Sequence, residues 1–313
     1  MRIGVVFPGQ GSQTVGMGGD LPEREPAVGA LFERSSALLG YDLRALLRDG
    51  PEERLRETRF SQPAIFVLNY ALALAAGPAL APVASAGHSF GEYCSLVLAG
   101  ALEFEVALRL VSLRGSAMQE AAERRPGAMA AVLGIEAGAL EAAIRPARAS
   151  GSLTLANFNA PGQIVLSGDR SAVERAGALA LQAGAKRVVL LNVSGAWHSE
   201  LMAPAQERFA PAVAAAQIEL PRFPVISNVD AQPYNSVARI RENLSRSLTA
   251  GVLWNATAQR LVVERLDLIV EFGGSAVLSP LLKRQPDAPE AISVTDAKGL
   301  ARLAERCAAT AGA

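Results

Sequence analysis

From Pro63 to Gly87 the chain carries no charged residue. A stretch of that length can cross a bilayer, so it forces a choice between a membrane span and a protein interior. It is rich in alanine, carries Asn69, and is interrupted by Gly77-Pro78 and Pro82. Glycine and proline punctuate between elements in this way. The stretch therefore reads as a buried helix over Ala64–Ala76 followed by a buried strand over Pro82–Ala86, with no membrane span. A chain of 313 residues buries roughly 75% of its extended surface, enough to enclose both.

That strand runs straight into Gly87-His88-Ser89-Phe90-Gly91, a G-x-S-x-G motif, and Glu92–Leu98 continues as a helix. Taken alone, such a motif is often no more than a Gly/Ser turn. Between a strand and a helix it is also the context of a nucleophile elbow, where a sharp turn lifts the serine Oγ to a helix N-terminus. Backbone N–H groups and the positive helix end can there meet a developing oxyanion.

A serine nucleophile needs a base, and the chain has only His88 and His198. A tight elbow turns the His88 side chain away from Oγ, which leaves His198 in Ser194-Gly195-Ala196-Trp197-His198-Ser199; the bland reading is a satisfied core or surface histidine. On the helix expected over Phe104–Ala121, Arg114 falls on the apolar stripe of Ala107, Val111 and Met118, whereas Arg109 does not. A buried arginine wants an anionic partner. That partner is either a structural Asp or Glu or a substrate carboxylate, which the guanidinium fork grips in two places.

Strands are expected at Arg2–Phe7, Ala128–Leu133, Leu153–Phe158, Gln163–Leu166, Arg187–Val193, near Val225-Ile226-Ser227, and at Leu268–Phe272. Helices are expected over Glu136–Arg145 and Ser171–Ala183, around Ile240–Leu261, and at the C-terminus. The middle of the chain is then β-α-β-β-α-β, the split arrangement of ferredoxin-like modules. The expected organisation is a large α/β domain, residues 1–126 plus 195–313, with a small inserted subdomain, 127–194.

Thirty basic and thirty acidic residues cancel, which argues against a nucleic-acid partner. Cys94 and Cys307 are too few and too far apart for a disulfide framework or a CxxC site. The apolar start, Met1–Phe7, ends at Pro8-Gly9, too early for a secretory signal. A cytoplasmic location is the expectation.

The chain resembles the malonyl-CoA:acyl carrier protein transacylases of fatty acid synthesis and the similar acyltransferases of polyketide synthesis. The resemblance covers essentially the whole sequence. It rests on Phe7-Pro8-Gly9-Gln10-Gly11-Ser12-Gln13, Gly87-His88-Ser89-Phe90-Gly91-Glu92-Tyr93, and Arg114-Gly115 with Met118-Gln119. Asn157-Phe158-Asn159-Ala160-Pro161-Gly162-Gln163 and His198 with Leu201-Met202 complete it.

The resemblance implies an α/β-hydrolase-like core with an inserted ferredoxin-like (βαββαβ) subdomain. It makes Ser89 the nucleophile and His198 its base, oriented by backbone carbonyls. The Gln10 and Phe90 N–H groups form the oxyanion hole, and Arg114 holds the malonyl carboxylate. Met118, Asn159, Trp197 and Gln62 are expected around the substrate, and Lys186 and Arg187 near the CoA and carrier phosphates. Malonyl-CoA and a phosphopantetheinylated acyl carrier protein are the implied substrates, with no metal or other cofactor and a monomeric state.

Four positions depart from the family pattern. Trp197 replaces the Phe of malonyl-selective members and the Ser of methylmalonyl-selective ones, and its bulk favours malonyl. Ser247 replaces a Gln seven residues before Trp254, Phe90 is larger than the usual Leu, Met or Gln, and Gly273-Gly274-Ser275 replaces Gly-Pro-Gly. Two rival readings use the same residues: an acyl-enzyme hydrolase, that is an editing thioesterase of this fold, and a module that only docks carrier proteins. A third places the chain in polyketide synthesis with another extender unit.

Overall fold

A computed structural model describes residues 1–19, 21–77 and 80–311; Pro78, read above as punctuation, lies outside them. Four short helices, α1 (Leu21–Arg24), α2 (Pro26–Leu39), α3 (Leu43–Asp49) and α4 (Glu52–Arg56), lead from β1 (Ile3–Phe7) to α5 (Thr58–Ala75). Next come β2 (Pro82–Gly87), α6 (Gly91–Leu98) and α7 (Phe104–Arg124). After a middle segment come α10 (Ala203–Ala215), β7 (Val225–Ile226), α11 (Val237–Arg246), α12 (Trp254–Val263), β8 (Leu268–Phe272), α13 (Leu278–Leu282), β9 (Glu290–Val294) and α14 (Ala297–Ala311).

One sheet has the order β7-β2-β1-β8-β9, with every pairing parallel. All five residues of β1 and of β8 are buried, as strands are when helices cover both faces of a parallel sheet; the one charge among them, Glu271, accepts the Val277, Leu278 and Ser279 N–H groups. Phe7 and Gly87 are in register at the carboxyl ends of β1 and β2, and the His88 N–H donates to the Phe7 carbonyl at 2.9 Å. The loop after β1 and the turn after β2 therefore leave the sheet side by side. Crevices at carboxyl strand ends are where open α/β sheets bind ligands.

The middle segment builds a second sheet from β3 (Ala128–Leu133), β4 (Leu153–Ala160), β5 (Gln163–Gly168) and β6 (Arg187–Leu190), in the order β4-β5-β3-β6 and antiparallel throughout. α8 (Ala137–Ile144) and α9 (Arg170–Gln182) pack with it around Val132, Leu140, Ile144, Leu166, Val173 and Ala176. Two main-chain bonds tie β4 to the loop before α12: Phe158 N–H to the Val252 carbonyl at 2.9 Å, and Val252 N–H to the Ala156 carbonyl at 2.8 Å.

Most of the described part of the uncharged stretch is buried, Leu74 and Ala81 being exposed, and among the described residues no helix is long and apolar enough to cross a membrane. Its helix begins at Thr58 rather than Ala64 and carries Pro63 within it. Proline forfeits one helical bond, but burial of Ser61, Gln62, Ala64, Ile65 and Phe66 holds the turn. The strand expected over Arg187–Val193 stops at Leu190, because Leu191 to Val193 turn off to line a cavity. The helices expected around Ile240–Leu261 are α11 and α12, and β9 and α13 have no counterpart among the expected elements. β9 is a short edge strand with only Ala291 and Val294 buried, so its apolar signal is weak.

Candidate active site

The turn after β2 is built on close approach. A Cβ on Gly87 would sit 1.9 Å from the Gly91 carbonyl carbon, and one on Gly91 would sit 2.3 Å from the Phe7 carbonyl oxygen. Only glycine lets α6 start this close to both strands. Ser89 pays for the sharpness with a left-handed φ of 54°, a conformation that costs a non-glycine residue about 1–2 kcal/mol.

Ser89 Oγ lies 2.9 Å from His198 Nε2. His198 Nδ1 faces two carbonyl oxygens, of Ser247 at 2.8 Å and Ala250 at 3.2 Å. Carbonyls only accept, so Nδ1 carries the proton and Nε2 presents its lone pair to the serine hydroxyl. The orienting groups are main-chain carbonyls just beyond α11, so serine instead of glutamine at position 247 leaves the arrangement intact. Burial, then Arg114 and His88, push the His198 pKa from 6.5 down to about 3. The ring is neutral at physiological pH, the state a general base requires. His88 turns away, as expected: its Nε2 meets Asn159 Oδ1 at 3.0 Å.

Arg114 is fully buried in α7 while Arg109 is exposed. Its Nη1 donates to Gln62 Oε1 at 2.8 Å and its Nη2 to Ser89 Oγ at 3.2 Å, and its Nε has no partner. No carboxylate pairs with it among the described residues. Burial pulls its pKa below the usual arginine value. Of the two partners left open by the sequence, the structural Asp or Glu is absent.

Gln10 is anchored by its side chain, Nε2 to Thr58 Oγ1 at 3.1 Å. Neither the Gln10 nor the Phe90 N–H has a protein acceptor among the described residues. Both residues line a cavity of about 410 Å³ together with Ser89, His198, Arg114, Gln62, Met118 and Trp197. Trp197 is 5% exposed and its Nε1 is unpaired.

Three expected residues are not in that lining. Asn159 stands behind His88, and Asn157, two residues earlier on β4, lines the cavity in its place. Lys186 packs over Gly134, and Arg187 is in register with Leu133, at the end of β6 away from the cavity-lining Leu191. Glu52, Arg56, Leu191, Asn192 and Val193 also line the cavity and carried no signal in the sequence. Asn228 carried no signal either; it does not line the cavity, but its side chain bonds the main chain of Ser89.

Asp169, the acid between serine and histidine in chain order, pairs with Arg125 and accepts the Ser152 N–H at 2.8 Å, away from His198. Among the described residues no three His, Cys, Asp or Glu side chains cluster as a metal set would. Gly273-Gly274-Ser275 closes over the loop after β1: a Cβ on Gly273 would meet Pro8 Cγ at 2.4 Å, and Ser275 Oγ donates to the Ser12 carbonyl at 3.2 Å.

A strained serine at a helix start, a neutral imidazole on its hydroxyl, two idle N–H groups and a buried cation suit acyl transfer through the serine. The pattern of the acyl transferase domain matches residues 5–291. The malonyl CoA-acyl carrier protein transacylase of Haemophilus influenzae is 41% identical over 298 residues, 94% of this chain and 96% of that protein. The structure of the Coxiella burnetii malonyl CoA-acyl carrier protein transacylase superposes with a TM-score of 0.94 at 37% identity, covering 98% of each chain. A malonyl-transacylase solved in complex with its type II PKS acyl-carrier protein superposes at 0.93 and 39% identity, covering 98% of this chain and 100% of that one. This chain belongs to the acyl transferase domain family.

Proposed function

We propose that the protein transfers a malonyl group from malonyl-CoA to the phosphopantetheine thiol of an acyl carrier protein, through a malonyl-Ser89 intermediate. The observation that carries the reading is the buried Arg114 guanidinium, without a carboxylate partner, 3.2 Å from Ser89 Oγ. A cation kept there at a desolvation cost calls for an acyl group that ends in a carboxylate. The names of the relatives support the same substrates.

Ser89 Oγ attacks the thioester carbonyl while His198 Nε2 takes its proton. The Gln10 and Phe90 N–H groups receive the oxyanion, each worth about 2.7–4 kcal/mol in comparable sites. His198 then protonates the departing CoA sulfur, and the carrier thiol runs the same steps in reverse. The malonyl carboxylate pairs with Arg114, which Gln62 holds in place. Nucleophile, base and positioning suffice for this chemistry, so no metal or redox cofactor is called for. Acetyl-CoA would leave the guanidinium unpaired and is disfavoured for that reason.

The second sheet, with its βαββαβ order and antiparallel pairing, supports reading 127–194 as a ferredoxin-like insertion into an α/β-hydrolase-like domain of 1–126 plus 195–313. Action as a monomer is part of the same proposal. The carrier belongs to fatty acid or polyketide synthesis; a relative named for polyketide biosynthesis and a neighbour solved with a type II PKS acyl-carrier protein keep the second open.

Intact-protein mass spectrometry after brief mixing with malonyl-, methylmalonyl- and acetyl-CoA tests the proposal. A malonyl adduct that exceeds the other two and disappears in Ser89→Ala supports it. Free CoA accumulating without an adduct or carrier would show hydrolysis; neither adduct nor CoA would leave a docking module.

A further inference from the structure

We infer that Asn228, braced by Glu92, is the positioning residue that aims the Phe90 N–H into the cavity. This role rests on the function proposed above, in which that N–H is an oxyanion donor. In a trans peptide the C=O and N–H point in opposite directions, and the Ser89 carbonyl and the Phe90 N–H belong to one peptide. The Ser89 carbonyl accepts Asn228 Nδ2 at 3.1 Å, and Asn228, unlike Ser89 and Phe90, is not among the residues that line the cavity. A long bond from the Glu92 N–H, 3.3 Å, supports it. The other end of the same amide acts as well: Asn228 Oδ1 accepts the Ser89 N–H at 3.0 Å. One side chain thus grips both main-chain polar groups of the residue that holds the strained φ, and with them the plane of the next peptide.

Asn228 is itself held. Glu92, buried in the first turn of α6, accepts the Asn228 N–H at 2.9 Å, a second, short bond from Asn228 Nδ2, and a short bond from the Tyr234 hydroxyl. The Asn228 carbonyl accepts the Leu253 N–H at 2.9 Å. An acid in the first turn of a helix also has a plain structural use, against the positive helix end. A carboxylate spent on both N–H groups of one asparagine does more than that. It leaves the Asn228 amide a single orientation, nitrogen toward the Ser89 carbonyl, and so excludes the flipped amide that would repel it.

Phenylmethanesulfonyl fluoride tests this without malonyl chemistry. The Ser89 Oγ–S bond forms, the S–F bond breaks, fluoride leaves and the proton passes to His198, while the sulfonyl oxygen occupies the oxyanion site. Asn228→Ala is expected to slow both sulfonylation and malonylation of Ser89 about 100-fold, the effect of losing an oxyanion donor. Malonyl-CoA affinity, measured calorimetrically in a Ser89→Ala background, stays unchanged. Glu92→Gln, whose side-chain carbonyl still accepts from Asn228, loses less. Glu92→Ala added to Asn228→Ala loses nothing more.

Wild-type rates in Asn228→Ala, or a loss of affinity equal to the loss of rate, would overturn the inference. If Asn228→Ala does not fold, Asn228→Ser and Tyr234→Phe carry the same comparison. A wild-type protein that sulfonylates but takes no malonyl group would sink the proposed function, while the sulfonylation rates would still decide this point.

Discussion

Arg114 Nη2 stands 3.2 Å from Ser89 Oγ, so a fully buried guanidinium touches the oxygen expected to react. The contact ties selectivity to chemistry. Arg114→Ala should lower kcat/KM for malonyl-CoA by about 2–5 kcal/mol of transition-state binding, roughly 30- to 5,000-fold, the cost of truncating one partner of a buried charge pair. Acetyl-CoA, which has no carboxylate to lose, should hold its rate or gain. Parallel kinetics with the two thioesters check this, and undiminished malonyl preference would refute the carboxylate assignment.

The same contact carries a stability cost. Arg114 is desolvated, its Nε has no partner, and among the described residues no carboxylate forms an ion pair with it, the buried Glu92 acting on it only from a distance. Arg114→Met keeps much of the volume and removes the charge. It should raise the free energy of unfolding of the unliganded protein by about 1 kcal/mol or more, as replacing buried charges by apolar groups often does. Urea midpoints measured without substrate read the gain; a loss would show that the guanidinium is better satisfied than its contacts indicate.

His198 gives a pH signature. Its folded pKa, about 3, lies below the ordinary 6.5, with burial first among the causes and Arg114 second. The unfolded chain therefore takes a proton that the folded chain refuses. This stability is fully present above pH 6.5 and is lost as pH falls toward 3, with a slope approaching ~1.4 kcal/mol per pH unit for one proton. His88, also lowered by burial, adds in the same direction. Unfolding free energies between pH 7 and 5 should fall less steeply in His198→Gln than in the wild type. In the acetyl-CoA reaction of Arg114→Ala, the acid limb of kcat/KM should move up in pH, because one cause of the depression is gone.

How far these residues were readable from the sequence follows from how locally each is specified. Ser89 sits in a short motif between a strand and a helix, and with two histidines in the chain the base had few candidates. Arg114 betrayed itself by its position on an apolar helical stripe. Asn228 and Glu92 are 136 residues apart and meet only because β7 pairs with β2, a tertiary fact that no local pattern records. Asn157 and Asn159 occupy neighbouring positions of one strand, and which of them reaches the cavity depends on the irregular register of β4 against β5. Lys186 and Arg187 were placed by resemblance alone, and the antiparallel run of β6 carries them to the end of the strand away from the cavity.

The elbow glycines should be intolerant for a reason unrelated to backbone freedom. A Cβ at Gly87 would overlap the Gly91 main chain at 1.9 Å, and no side-chain motion relieves that. Gly184 has a left-handed φ of 95°, and a methyl group there would meet nothing within 4 Å. Gly184→Ala should cost about 1–2 kcal/mol, the strain of that conformation alone. Gly87→Ala should cost more than about 4 kcal/mol, in the range reserved for severe packing failures. Equal costs in urea unfolding would mean that the elbow relaxes more easily than its geometry shows.

Trp197 sets the last expectation. It lines the cavity beside Ser89 and Arg114, and it is almost fully enclosed. An α-methyl on the malonyl group would need room that the ring occupies. Trp197→Ser should raise the methylmalonyl-to-malonyl ratio of kcat/KM by about 10- to 200-fold, the usual worth of one methyl group in a fitted pocket. The enlarged cavity should also destabilise the protein by about 3–5 kcal/mol, as large aromatic truncations do. Trp197→Phe should show a smaller change in both. Competition between the two thioesters for one enzyme sample reads the ratio directly, and a ratio unmoved by Trp197→Ser would place the selectivity elsewhere in the cavity, with Met118 and Phe90 the next residues to change.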